Sequence, residues 1–342
     1  MKIQFAGDYL RSKSSFKKNV SAATKVMGKK TSDIYYNQMK SVCAAEFFLG
    51  NLRNAVSSSA TPHIADIGAC SGDLTRLVRA NYPHVHTTNV DLTDYFTSAA
   101  KKEDIEAGLS ANTTYLCANA LKLPFENFSM DALLYSRVLH EIFSYEFPEL
   151  NDRKFSKESI KKALQEAYRV LKIGGVIIIQ DPAKPENYDE TVTISNFADQ
   201  SANLSDQDLL ETDVTVLKGE DLLKRFLIEF EPAKNNYTQS PEGYKMQKWL
   251  ASEFIRHRKF NETKEHWAHE ICEQYSPLTQ KEYEDLAKTT GFELVSSEIV
   301  YKPDEKNLYV YSNSFDVRDS QGNKLLSSKD FPLGMLLAFK KK

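Results

Sequence analysis

The stretch DIGACSGDL, Asp66 to Leu74, decides the reading of this chain. An apolar run, HIADI, leads into it, and an amphipathic segment, DLTRLVRANY, leads out, so the turn joins a strand to a helix. Gly68 and Gly72 carry no Cβ; they let the backbone turn sharply and let a ligand come close. This is a nucleotide-binding turn, and charge separates the two kinds of nucleotide it can serve. A dinucleotide places its pyrophosphate at the helix N-terminus and needs donors with little negative charge nearby. Here Asp66 ends the strand and Asp73 sits in the first helical turn. Two carboxylates repel a pyrophosphate by several kcal/mol at an intermediate dielectric. The spacing also departs from G-x-G-x-x-G. A nicotinamide dinucleotide is disfavoured, and a ligand carrying an ammonium and a sulfonium is favoured.

Outward from this turn the pattern alternates. Short apolar runs (HIADIG, HTTNVDL, TTYLCAN, MDALLYS and GVIIIQD) end near residues 68, 92, 119, 136 and 181. Between them lie the helical segments DLTRLVRANY, YFTSAAKKEDIEAGL and KESIKKALQEAYRVLK. In the last, Ile160, Ala163, Leu164, Ala167, Tyr168 and Leu171 share a face, and Gly174 marks its end. Alternating strands and helices, with strands that are nearly all apolar, predict a mostly parallel sheet covered on both sides.

Four regions follow. Residues 1–58 read as an N-terminal helical cap, with the amphipathic piece SDIYYNQMKSVCAAEFFLGNLRNAV capped by Ser32 and apolar at Ile34, Met39, Val42, Phe47 and Leu52. Residues 59–182 form the sheet core. Residues 183–275 read as a mainly helical insertion after the fifth strand, covering the substrate. Residues 276–342 complete the sheet with a helix opened by the T-x-x-E pair Thr279 and Glu282, then strands, with a hairpin near Ser320 to Asn323.

At this point the chain resembles the class I S-adenosylmethionine-dependent methyltransferases, a Rossmann-like α/β family. DIGACSG resembles the family's first motif, D/E-x-G-x-G-x-G, with Cys70 in place of the middle glycine. The resemblance implies that Asp66 reaches the methionine ammonium through water, with Gly68, Cys70 and Gly72 lining the turn. It implies that Asp91, 19 residues past Gly72, accepts from both ribose hydroxyls, with Leu92 beside it. Cys-Ala-Asn-Ala (117–120) and the following segment resemble the third and fourth motifs, so that Asn119 meets the adenine amino group and the Ala120 amide a ring nitrogen. Ser136 closes the fourth strand at the same edge. The implied cofactor is S-adenosylmethionine, the implied product S-adenosylhomocysteine. The resemblance covers residues 60–182 and, more weakly, 276–342.

Methyl transfer is an in-line displacement, so alignment and exclusion of water supply most of the rate. A base helps where the acceptor must lose a proton. His140 is the best candidate, since its ordinary pKa is near ~6.5; shaping the pocket floor is the alternative role. Asp181 ends the fifth strand as a second candidate. Arg137 and Glu141 are candidates for substrate contact, and Tyr35 and Tyr36 for a lid over the cofactor. No metal is expected, because strand four ends in Ser136-Arg137 and the His266/His269 pair lacks a clear third ligand. Trp249, Phe254 and Trp267 read as core before substrate box.

Composition bounds the rest. The chain has 342 residues, 41% hydrophobic and 27% charged, enough for a large core. Its four cysteines form no C-x-x-C pair and read as reduced thiols. No signal-like apolar run opens the chain and no run is long enough to span a bilayer, so a cytoplasmic location is expected. Residues 11–30 carry seven Lys/Arg and no acid, whereas residues 182–232 carry twelve Asp/Glu against four Lys/Arg. The net charge of −3 argues against a nucleic-acid partner. The expected function is methylation of a small or medium-sized acceptor. The alternatives are methylation of a protein or RNA, with the basic stretch as docking surface, and cofactor binding without catalysis. Oligomeric state is not readable from the sequence.

Overall fold

A computed structural model describes residues 44–147, 150, 154–301, 313–325 and 329–342. Among them the chain divides into two compact units, one of residues 44–181, 282–298 and 335–342, the other of residues 182–281 and 299–334.

The first unit is built on a seven-stranded sheet. Strands β1 (His63–Ile67), β2 (His86–Asp91), β3 (Thr113–Cys117), β4 (Met130–Ser136) and β5 (Leu171–Asp181) lie in the order β3-β2-β1-β4-β5. All their pairings are parallel, with Asp66 beside Asn89 on one side and Leu134 on the other. Two late strands extend the sheet: β11 (Gly334–Lys341) runs antiparallel to β5, and β9 (Phe292–Val300) forms the edge beyond it. Side chains of a strand alternate between faces. Ile64, Ala132, Leu134, Val176 and Ile178 pack on one face with Phe48 and Leu52 of α1 (Ala45–Ser57) and Leu74 and Val78 of α2 (Asp73–Asn81). The alternate residues Ala65, Ile67, Leu133, Tyr135, Ile177 and Ile179 are buried as well. Both faces are therefore covered, which is why these strands read as continuous apolar runs.

The helices follow the expected periodicity. Thr93 caps α3 (Asp94–Glu106) through a bond from the Phe96 amide. A short α4 (Leu139–Ser144) precedes α5 (Lys157–Val170), which buries Ile160, Ala163, Leu164, Ala167 and Val170. Leu171 is already the first residue of β5, so that helix ends two residues before the sequence pattern suggested. In α1 it is Phe48 that is fully buried, and Phe47 packs at the margin; each fully buried Phe or Leu contributes about 1.5–3 kcal/mol. Ser32, Ile34, Met39 and Val42 lie outside the described residues. Helix α10, Gln280–Thr290, follows directly on Thr279 and ends at Gly291, and Glu282 pairs with Lys157.

The second unit contains more strand than its sequence suggested. β6 (Thr191–Ser195), β7 (Tyr237–Ser240), β8 (Gly243–Gln247) and β10 (Asp316–Asp319) form an antiparallel sheet in the order β10-β6-β8-β7. β10 belongs here, not to the large sheet, and the turn after it is closed by Asp319, which accepts from the Gln321 and Asn323 amides. Helices α6 (Asp206–Glu211), α7 (Gly219–Glu229), α8 (Lys248–His257) and α9 (Lys264–Glu270) accompany it. Val192, Ile194, Tyr244 and Met246 pack with Phe226 and Phe230, with Phe254 and Trp267 in the core and Trp249 partly buried against it. His257 is fully buried there, both ring nitrogens at main-chain carbonyls of Glu253, Glu270 and Glu273.

At the start of β1, His63 bonds Thr88 through Nε2 while its ring meets His86 edge-on at 4.7 Å. Burial, with His86 alongside, lowers the His63 pKa to about 4. The folded state thus binds this proton less readily than the unfolded chain, so its contribution to stability is full above pH ~6.5 and is lost as pH falls through about 4. Thermal unfolding followed from pH 7 to pH 4 should show a shallower decline in His63→Gln than in the parent; equal slopes would refute the assignment.

Candidate active site

β1 is flanked by β2, which leads outward to β3, and by β4, which leads outward to β5, so the order reverses beside it. In an open α/β sheet the crevice at the carboxyl ends of the strands at such a reversal receives the ligand. The carboxyl ends of β1, β2, β4 and β5 are marked by Asp66, Asp91, Ser136 and Asp181.

The turn after β1 is tightly tied. The amides of Gly68 and Ala69 donate to the Val90 carbonyl at 2.8 and 3.0 Å, and that of Gly72 to Ala69 at 2.8 Å. Gly68 and Gly72 lie in the left-handed region, at φ 76° and 78°. A Cβ at Gly68 would meet Val138 Cγ2 at 2.5 Å, and one at Gly72 would meet Asn89 Nδ2 at 2.8 Å. Cys70 also takes a positive φ, 42°, at the place where the family carries glycine. A non-glycine residue there stores strain, a feature concentrated at functional sites. Arg137, after β4, is a second case at φ 56°, with its amide donating to the Gln180 carbonyl.

Asp91 is clamped: Oδ2 accepts from the Cys70 amide at 3.1 Å, and Oδ1 from the Thr93 amide at 3.0 Å and its hydroxyl at 3.3 Å. Burial still raises its pKa against those bonds. Asp66 is different. It is 3% exposed, Oδ1 is buried with no hydrogen-bond partner, and burial with Asp91 and Asp73 nearby pushes its pKa up to about 8. At the end of β3 the Ala118 amide donates to the Asp91 carbonyl. Asn119 Oδ1 accepts from the Leu121 amide at 2.9 Å, and its Nδ2 is buried without a partner. The amide nitrogen, not the oxygen, is thus the uncommitted atom of Asn119. Leu92 and Ala120 are half-buried.

His140 and Asp181, separate candidates in the sequence, form a pair. Asp181 Oδ1 lies 2.6 Å from His140 Nδ1, and Oδ2 accepts the His140 amide at 2.9 Å, capping the first turn of α4. Both are buried. Burial pushes Asp181 above the usual carboxylate range, and His140 opposes it. Tyr283, buried on α10, points its hydroxyl at Asp181 Oδ2 from 3.4 Å. Ser136 Oγ lies 3.5 Å from Gln180 Oε1, and Arg137 and Glu141 are half-buried beside this pair in sequence. Tyr35 and Tyr36 lie outside the described residues.

Sequence reasoning missed Asn89, Thr93 and Tyr283. Asn89 accepts from Thr75 at 2.7 Å and lies against the Gly72 turn; in a strand as polar as β2, HTTNVD, it did not stand out. Tyr283 gave no signal, since its contact spans 102 residues.

A parallel sheet that reverses beside a glycine turn, with an acid closing each of the first two strands, is the arrangement of a nucleotide-binding α/β domain. Residues 65–179 match the family model described as a methyltransferase domain. The chain is 32% identical over 111 residues to the ubiquinone/menaquinone biosynthesis C-methyltransferase UbiE of Brucella anthropi, covering 32% of this chain and 36% of that protein. It is 31% identical over 117 residues to the protein of the same name from Rhizobium etli, covering 34% and 40%. The match therefore spans well under half the length of these relatives. Among solved structures, a S-adenosylmethionine-dependent methyltransferase from Methanosarcina mazei superposes with a TM-score of 0.45 at 16% identity over 83% of this chain and 93% of that one. The geranyl diphosphate C-methyltransferase of Streptomyces coelicolor gives 0.46 at 12% identity over 99% and 87%.

The contact at Gly68 yields a direct test. Gly68→Ala combines a positive φ with a 2.5 Å clash, and such combined defects cost about 2–4 kcal/mol. The melting temperature should fall and affinity for S-adenosylhomocysteine should drop at least tenfold; wild-type values for both would show that the turn tolerates a side chain.

Proposed function

We propose that the chain transfers a methyl group from S-adenosylmethionine to a small or medium-sized acceptor. The observation that carries this reading is the buried Asp66 carboxyl, which has no donor, beside a glycine turn and a clamped Asp91. That arrangement suits a ligand bringing its own cation and disfavours a diphosphate. Asp66 faces the ammonium, Gly68, Cys70 and Gly72 let the chain approach it, and Asp91 with Leu92 holds the ribose. Asn119 and Ala120 meet the adenine. Ser136 borders the same edge.

When bound, S-adenosylmethionine supplies a methyl carbon made electrophilic by its sulfonium. The protein's part is to align the acceptor and take up its proton. Asp181 holds the His140 ring with the proton on Nδ1, which makes Nε2 the basic nitrogen. Arg137 and Glu141 contact the acceptor. The names of the relatives, carbon methyltransferases of quinone biosynthesis, support a small-molecule acceptor. No helix among the described residues is long and apolar enough to cross a membrane.

Calorimetry with S-adenosylmethionine and S-adenosylhomocysteine should give dissociation constants on the order of micromolar, weakened at least tenfold in Asp91→Ala. Labelled methyl donor incubated with fractionated extract should deliver counts to the small-molecule fraction. Counts in protein or RNA, or binding of a nicotinamide dinucleotide instead, would sink the proposal. Once an acceptor is in hand, His140→Ala should lower kcat about a hundredfold or more with cofactor affinity unchanged. Full turnover in that variant would remove the base assignment and leave the cofactor site standing.

A further inference from the structure

We propose that Asp66 carries a proton in the ligand-free protein and releases it to solvent when an ammonium-bearing ligand binds, so that cofactor capture is coupled to deprotonation of this side chain. The inference rests on the cofactor reading above and concerns what this chain's own residue does.

The donors of the turn after β1 and of its neighbours serve other acceptors, and the Asn89 amide nitrogen on the adjacent strand, itself without a partner, makes no bond to Asp66. The amides of Gly68, Ala69 and Gly72 serve the carbonyls of Val90 and Ala69. The Cys70 amide and both Thr93 donors serve Asp91. The Ser71 hydroxyl goes to Asp73 Oδ2 at 3.0 Å. Arg76 bonds Asp73 at 2.7 Å and Asp104 at 2.5 Å, and reaches Glu103 at 3.4 Å. The charged groups that face Asp66 are therefore both acids, Asp91 from β2 and Asp73 from α2, and each holds its own donors.

A carboxylate in that setting has lost water, has gained no hydrogen bond and stands beside like charge. All three effects favour the neutral acid, consistent with a pKa pushed up to about 8. An ammonium arriving within reach reverses the balance, since an opposite charge within ~4–6 Å lowers a carboxyl pKa by roughly 1–3. The neutral O–H then ionises, its proton passes to buffer, and the carboxylate remains as partner of the ammonium. Because the bound state holds fewer protons, affinity must rise with pH up to about 8 and level off above it.

The test is calorimetric titration of the full chain with S-adenosylhomocysteine at pH 7 in two buffers of different ionisation enthalpy. Release of roughly half to one proton per ligand is expected, with affinity strengthening by up to about tenfold per pH unit between pH 6 and pH 8. 5′-Methylthioadenosine reaches Asp91 and lacks the ammonium; it should bind with little proton release and a flat profile. In Asp66→Asn the release with S-adenosylhomocysteine should vanish. Binding of S-adenosylhomocysteine with buffer-independent enthalpy, equal release with methylthioadenosine, or undiminished release in Asp66→Asn would overturn the coupling while sparing the cofactor site. Failure of both nucleosides to bind would overturn the cofactor reading and the coupling with it.

Discussion

The constraint on which the first unit depends is the parallel pairing of β1 on both sides. A strand hydrogen-bonded to β2 and β4 has no edge left, and its two faces are packed by helices and side chains from opposite layers. Parallel neighbours also bring all the carboxyl ends to one rim. That is why residues as far apart as Asp66, Asp91, Ser136 and Asp181, each the end of a strand or one step from it, become members of one candidate site. The antiparallel return of β11 adds its own constraint: Met335 pairs with Asp181, so the last segment of the chain borders the rim as well.

The electrostatics of that rim are uneven. Asp91 and Asp181 are both buried, yet each is held by donors: main-chain amides and a hydroxyl for the first, His140 and its own amide for the second. Asp66 receives none. Low-dielectric surroundings magnify such differences, because an unmade hydrogen bond costs more there than a made one contributes. Three carboxyl groups at the carboxyl ends of parallel strands thus stand in three different environments, although the residue type is the same. Cys70 and Arg137, next to strands β1 and β4, are two of the nine described non-glycine residues in the left-handed region.

Much of the architecture was legible because its physical causes are local. Strands β1, β4 and β5, buried on both faces, are rich in apolar residues, and DIGACSGDL must turn where its glycines permit. The legibility failed where non-local packing decides. The strands β6 and β8 alternate buried residues with more exposed ones over only five positions, and β7 buries none of its four, too little to stand out within an acidic, helix-rich stretch. β10 reads like any short strand, and only its pairing with β6 assigns it to the second sheet.

From residue types and spacing alone came the strand–turn–helix, the five strands of the parallel sheet, and the acids that end β1 and β2, since these depend on periodicity and on what glycine permits. Only the folded chain decided that His140 and Asp181 are partners, that Tyr283 joins them, and that Asp66, unlike Asp91 and Asp181, has no donor. Those are facts of who lies next to whom across forty or a hundred residues, and a hydrogen bond has no signature in a sequence until the backbone brings its two ends within about 3 Å.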